Sequence, residues 1–146
     1  VGDLSKNFKA SEFSCKCGCG YCAPSAKLIL SMQAIRDKAG ASVSVTSGCR
    51  CTQHNAKYSA VKGLAANIGK GNPGDKSASA HTLGEAADFR IKCLNRRQAY
   101  DLIVAMHKAG ELPWLKYTYM LKATADVVHI DTDGSKRRST VYGGEA

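Results

Sequence analysis

No apolar run in this 146-residue sequence approaches the ~18 residues that span a bilayer, so no membrane-crossing helix is expected. The opening stretch, VGDLSKNFKASEF, lacks a basic segment followed by an apolar core, and no signal peptide is visible in it. The first residue is valine, as in a processed or excised chain. Aromatic residues are scarce at 7%, and the aromatic motif of ribonucleoprotein domains is missing, as is the paired Cys and His spacing of zinc fingers. No predicted helix carries a continuous basic stripe. Nucleic-acid binding is therefore disfavoured, despite a net charge of +9. No internal repeat occurs.

What is present describes a folded protein. Hydrophobic residues make up 44% and charged residues 23%, the balance of a soluble globular chain rather than a disordered one. The length fits one domain, whose core can bury roughly 68–70% of the unfolded surface. The surplus of Lys and Arg favours an anionic partner, whether nucleic acid, anionic lipid or an acidic cell-wall polymer. Its densest cluster, KRR at 136–138, falls in a polar, glycine-containing stretch from Gly134 onward that reads as a loose tail. The predicted division is a single domain over 1–133 and a flexible tail over 134–146.

Seven cysteines are many for this length. Cys15, Cys17, Cys19 and Cys22 lie in CKCGCGYC, Cys49 and Cys51 lie in GCRC, and Cys93 stands alone. The first six are expected to lie together and clasp the N-terminal segment against the turn that carries Arg50. Disulfides and a structural zinc both remain open for them. Cys93 is expected to be an ordinary buried thiol.

Residues 1–22 read as an irregular segment anchored by Phe8 and Phe13. Pro24 is expected to open a helix, in which Leu28, Ile29, Met32 and Ile35 recur at helical spacing until Gly40 stops it. SVSVT at 42–46 alternates as a half-buried strand and ends in Ser47-Gly48-Cys49-Arg50, a turn that presents a cation. The stretch 56–78 is glycine-rich and reads as a loop. Residues 86–92 alternate again, with Ala87, Phe89 and Ile91 on one face and Asp88 and Arg90 on the other. Asn95 and Gln98 form a capping-box pattern before a helix marked by Ala99, Leu102, Ile103 and Met106 and closed by Gly110. Strands are predicted at 115–121 and 125–131. Two helices among four strands give a single α+β domain.

Two of the four histidines stand beside carboxylates. His81 sits on a loop, Gly84 permits a tight turn, and the strand that follows brings Asp88 back beside it. His129 lies in the last predicted strand, flanked by Asp126 and Asp131. Two histidines and one aspartate with a vacant fourth position have the composition of a catalytic zinc site, because structural sites fill all four positions. The plain alternatives are a strand-edge charge for Asp88 and a satisfied core histidine for His129. His107 reads as a surface residue near a helix end, and His54 as a brace for the Arg50 turn.

Ser79-x-His81-x-x-Gly84-x-Ala86-x-Asp88, followed downstream by Val128-His129-Ile130-Asp131, resembles the zinc D-alanyl-D-alanine peptidase family, whose fold is shared with the hedgehog signalling domain. Ser47-Gly48-Cys49-Arg50 and His54-Asn55 match that family's strand-end and following motifs. Phe13-Ser14-Cys15-Lys16-Cys17-Gly18-Cys19-Gly20 resembles the cysteine-rich lead-in of a bacterial and phage branch. The resemblance covers about residues 5–131. It implies a small antiparallel sheet packed with helices around a single zinc site, with His81, Asp88 and His129 as ligands. It further implies that Arg50 pairs with a substrate carboxylate or stabilises an oxyanion, and that Ser79 hydrogen-bonds near the substrate.

An acidic residue three positions before the last histidine serves as general base in the family, and Asp126 has that spacing, with Asp in place of the commoner Glu. A regular strand would put Asp126 and His129 on opposite faces, so a bend is required between them. Asp131 is the alternative, as base or as a partner that orients the imidazole. The expected activity is that of a monomeric zinc peptidase cutting the stem or cross-link peptides of peptidoglycan, as a D,D-carboxypeptidase/endopeptidase or an L-Ala-D-Glu endopeptidase. The expected site of action is extracytoplasmic: periplasm, cell surface or phage virion. A non-catalytic metal-binding module of the same fold, binding cell wall or a protein, is the other reading. The glycine-rich 56–78 stretch departs from the family as a longer link.

Overall fold

The computed structural model describes residues 2–51, 80–134 and 140–146. Within them the chain runs α1 (Ala10–Phe13), α2 (Ala26–Ala39), β1 (Val43–Ser47), β2 (Ala86–Ile91), α3 (Arg96–Lys108), β3 (Tyr117–Met120), β4 (Val127–Asp131) and β5 (Tyr142–Glu145). Local chemistry sets the helix ends. Ser25 caps α2 by accepting the Leu28 N–H at 3.1 Å, so Pro24 stands just outside the helix instead of opening it. Gly40 ends α2 in the left-handed conformation, φ 63°. The Asn95–Gln98 capping box forms in both directions, at 2.8 and 3.0 Å, and starts α3.

The five strands make one sheet in the order β1-β2-β4-β3-β5. The first three pairings are antiparallel, while β5 runs parallel to β3, so the sheet is mixed rather than antiparallel throughout. The end of the expected loose tail is thus a strand: Ala146 N–H donates to the Met120 carbonyl, and Thr118 N–H donates to the Val141 carbonyl. The exposed edge of β3 offered unpaired backbone groups that even a polar, glycine-containing segment can satisfy.

Period-two alternation divides the sheet. Ala87 and Phe89 of β2, Val128 and Ile130 of β4 and Met120 of β3 face the helices. They pack with Leu28, Met32 and Ile35 of α2, Ile103 and Met106 of α3, and the anchors Phe8 and Phe13. The opposite face holds Asp88 and Arg90 from β2, His129 and Asp131 from β4, and Tyr117 and Tyr119 from β3. One irregularity matters for this face. Val45 pairs with Phe89 but Ser47 pairs with Asp88, so Thr46 is an extra residue and β1 bulges there. The bulge turns Ser47 and the residues after it toward Asp88.

Gly84 fixes the loop that leads into β2. Its φ is +71°, and its carbonyl accepts the Ser25 N–H at 2.8 Å, pinning the loop to the start of α2. A Cβ at this position would run into the Ala23 carbonyl. Gly84→Ala combines a disfavoured φ with a backbone clash, and a loss of roughly 1–3 kcal/mol is expected. A urea-denaturation midpoint measures it; an unchanged midpoint would mean that the loop does not need this close approach.

Candidate metal centre

Asp88 and His129 are directly opposed across the β2–β4 pair. Side chains so placed are near neighbours on one face of an antiparallel sheet. His129 Nδ1 lies 2.7 Å from Asp88 Oδ1, and its Nε2 lies 3.1 Å from Asp131 Oδ2, two residues on along the same strand face. His81 arrives from the turn before β2, a turn closed by Glu85 N–H donating to the Ala80 carbonyl at 2.9 Å. Its Nε2 is 3.4 Å from Asp88 Oδ2, and its Nδ1 is 2.7 Å from the Gly48 carbonyl. All three side chains are buried.

The hydrogen bonds fix the protonation chemistry. A carbonyl only accepts, so His81 Nδ1 carries the proton and Nε2 presents its lone pair to Asp88. Burial lowers the pKa of His81 from its ordinary value, against the pull of Asp88, and keeps the ring neutral. Two electron-rich atoms, the His81 Nε2 and the Asp88 Oδ2, therefore face each other in a buried place. Arg50 Nη2, 3.0 Å from Asp88 Oδ2, offsets part of that opposition, and a cation between the two atoms would offset the rest. Burial alone would lower His129, but its bonds to Asp131 and Asp88 outweigh this and raise it. Asp88 is held well below the usual carboxylate range: burial works the other way and is outweighed by His129 and His81.

The His81, Asp88 and His129 ligand atoms lie within 4.8 Å of one another. Tetrahedral zinc with bonds of ~2.0–2.1 Å separates its ligands by about 3.3 Å. The donor set and its spacing therefore fit a zinc ion held by three protein ligands; on binding, Nδ1 of His129 would release its proton to solvent, and Nε2 would keep its bond to Asp131.

Arg50 follows the bulge. Its Nη2 lies 3.0 Å from Asp88 Oδ2 and its Nε donates to Ser47 Oγ at 2.9 Å, while its backbone N–H donates to the His81 carbonyl at 3.1 Å. Gly48 is a glycine for a steric reason: a Cβ would stand 2.7 Å from Phe13 Cα. That close approach carries the Gly48 carbonyl to His81. An open cleft of about 380 Å³ lies over the site, lined by Lys16, Thr46, Ser47, Arg50, Asp88, Tyr119 and Leu121. Tyr119, which the motifs did not single out, stacks on His129 with ring centroids 4.4 Å apart and planes 16° from parallel. Burial, helped by the Asp88 charge, pushes its phenol up to about 12, so it stays a neutral hydrogen-bonding group.

Asp126 sits in a bend that precedes β4, and the bend breaks the alternation that would have pointed it to the core. Its Oδ2 is 3.7 Å from Nε of Arg90, whose alternation puts it on the Asp88 face; the Asp126 side chain is 39% exposed and is not among the residues lining the cleft. Asp131 is buried against His129. His107 Nδ1 meets the Tyr142 hydroxyl at 2.6 Å, so it ties α3 to β5 instead of standing free at the surface. Ser79, His54, Asn55 and the 56–78 stretch lie outside the described residues.

The cysteines divide differently from expectation. The sulfurs of Cys15, Cys17, Cys19 and Cys51 lie within 4.8 Å of one another. Cys22 Sγ instead donates to the Ala10 carbonyl at 3.2 Å, and buried Cys49 accepts the Ala23 N–H at 3.2 Å. Cys93 is exposed, not buried. It follows β2 in a turn with φ 70°, a left-handed position that takes the chain away from the end of that strand.

A family model described as Peptidase M15 matches residues 6–131. No curated protein and no solved structure matches the chain significantly.

Proposed function

The chain belongs to the peptidase M15 family, and from that premise we propose that it is a zinc-dependent peptidase that cleaves peptide bonds in the stem or cross-link of peptidoglycan. The observation that carries this reading is the buried convergence of His81, Asp88 and His129, with Asp88 and Arg50 lining an open cleft. His81 Nε2, the Asp88 carboxylate and His129 Nδ1 are assigned as the metal ligands. Zinc bound there would polarise the scissile carbonyl and bring the pKa of the attacking water down to ~7.

The remaining work falls to this chain's own side chains. Arg50 offers a planar, permanently charged fork to a substrate carboxylate or to the oxyanion that develops on the carbonyl. Asp126 is assigned as the base that takes the water's proton. Its placement on the Asp88 side of the sheet, through the bend before β4, supports the assignment. Asp131 accepts the His129 Nε2 proton and so holds the ring with Nδ1 toward Asp88. Tyr119 closes one face of that ring against water. Ser79 is assigned a hydrogen bond near the substrate, on the motif alone.

A net charge of +9 suits an anionic wall polymer, and that substrate places the protein's work outside the cytoplasm, at periplasm, cell surface or virion. No described helix is long and apolar enough to cross a membrane. The test is incubation of metal-free and zinc-loaded protein with purified peptidoglycan, followed by mass analysis of the soluble products. Zinc-dependent release is expected. Loss of a terminal D-alanine would identify carboxypeptidase action, and a new N-terminal D-glutamate the L-Ala-D-Glu cut. Zinc-loaded protein that binds the polymer and releases nothing would instead make it a non-catalytic module.

A further inference from the structure

We propose that Cys15, Cys17, Cys19 and Cys51 form a second metal site, a closed four-thiolate zinc site that is structural and distinct from the His81–Asp88–His129 centre. The sulfurs of the four residues lie within 4.8 Å of one another. Cys15 Sγ is 3.4 Å from Cys17 Sγ, which is 3.6 Å from Cys51 Sγ. A tetrahedron with Zn–S bonds of ≈ 2.3 Å has edges of about 3.8 Å, close to these separations. Four protein ligands leave no open position, which is the structural form of a zinc site.

Three features favour a metal over disulfides. Three of the four sulfurs come from one five-residue span, Cys15 to Cys19. Pairing these four among themselves would require two of those three to be joined within that span, and the other nearby thiols, Cys22 and Cys49, are hydrogen-bonded to backbone groups instead, whereas a metal accepts all four at once. The span is also built to turn its sulfurs to one point. Gly18 and Gly20 both take φ +86°, Gly18 N–H donates to the Cys15 carbonyl at 3.2 Å, and Cys15 N–H donates to the Tyr21 carbonyl at 2.8 Å. Finally, the Cys51 backbone N–H lies 3.4 Å from Cys15 Sγ, a bond that favours a thiolate over a thiol. Lys16 to Gly20 are all exposed, so apolar burial does little to offset the entropy of ordering this loop, and a four-way cross-link supplies what is missing. Filling the site takes up one divalent ion and releases the thiol protons of the four ligands to solvent.

The site would act on the cleft through its neighbours in sequence. Cys51 directly follows Arg50, and Lys16, between two of the ligands, lines the cleft with Arg50. One metal would therefore fix two cations on one wall of the substrate cleft, drawn from segments 34 residues apart.

Alkylation of the native zinc-loaded protein tests this without any variant. Cys17, Cys19 and Cys93 are all exposed, so Cys93 is an internal control. Cys17 and Cys19 should label about tenfold or more slowly than Cys93 until a strong chelator is added, and then at a similar rate. Labelling of all three at one rate with zinc present overturns the proposal. So does a disulfide among the four in non-reducing peptide maps. Cobalt(II)-loaded His81→Ala protein should keep a thiolate-to-cobalt charge-transfer band, and Cys19→Ser should lose it while retaining one metal. Because His81→Ala removes the other centre, a failure of the peptidase reading leaves this band in place, and a failure of the thiolate site removes it alone.

Discussion

Asp88→Asn is expected to strip the His81–Asp88–His129 centre of zinc and to abolish peptide hydrolysis, the largest effect of any single substitution in the cleft. One carboxylate here meets three partners: His129 Nδ1 at 2.7 Å, His81 Nε2 at 3.4 Å and Arg50 Nη2 at 3.0 Å. An amide of the same shape brings no negative charge to the metal. The loss should exceed the ~10–100-fold drop in metal affinity typical of removing a group that only supports a ligand. The metal-free protein should lose stability as well, because Arg50 and His129 both give up a buried contact with the Asp88 charge, although His129 keeps Asp131. Zinc content by elemental analysis, product release from peptidoglycan and a urea midpoint measure the three effects. A variant with a full complement of zinc at this centre and near-native hydrolysis would show that Asp88 is not a ligand.

The residues of this centre were only partly legible from local signals. A histidine on a loop, a glycine that permits a tight turn and an alternating strand suggest that His81 and Asp88 come close, but they left a strand-edge charge and a core histidine open, and it was the family resemblance that singled out the set. Alternation in β4 then puts His129 on the polar face. What was not legible depends on register. Thr46 gives no sign that it is the extra residue of a bulge, yet the bulge sets Ser47 opposite Asp88 and sends Arg50 into the cleft. Tyr119 looked like any alternating strand residue, and only the pairing of β3 with β4 stacks it on His129.

The same limit explains the errors at the chain's edges. A polar segment was expected to stay loose, but Tyr142–Glu145 completes the edge of β3 through backbone bonds that side-chain pattern does not announce. Six cysteines were expected to lie together as one clasp; four sulfurs meet at ligand distance, whereas Cys22 and Cys49, though close enough for Cys49 to feel the charges of Cys22 and Cys15, hydrogen-bond to backbone groups instead. A thiol expected in the core, Cys93, lies outside because the left-handed turn after β2 takes it off the sheet.

Asp126→Asn and Asp131→Asn should fail in different ways, and the contrast decides which carboxylate moves the proton. Asp126 is partly exposed, ends a bend on the Asp88 side of the sheet and pairs with Arg90, a surface partner that leaves it open to water. Removing its charge should leave zinc in place and lower hydrolysis by roughly 10²–10⁴, the contribution of a positioned base. Asp131 is buried and bonded to His129 Nε2 at 3.1 Å, so its amide variant should weaken zinc binding by about 10–100-fold, with activity recovering as zinc is raised. A base lost from Asp126 cannot be restored by added zinc. Titrating zinc against hydrolysis for both variants therefore separates a proton-transfer defect from a ligand-orientation defect. Should Asp131→Asn stay fully metallated and inactive while Asp126→Asn retains near-full activity, the two roles must be exchanged, and the Asp126–Arg90 pair is then only a surface contact of the kind that contributes little.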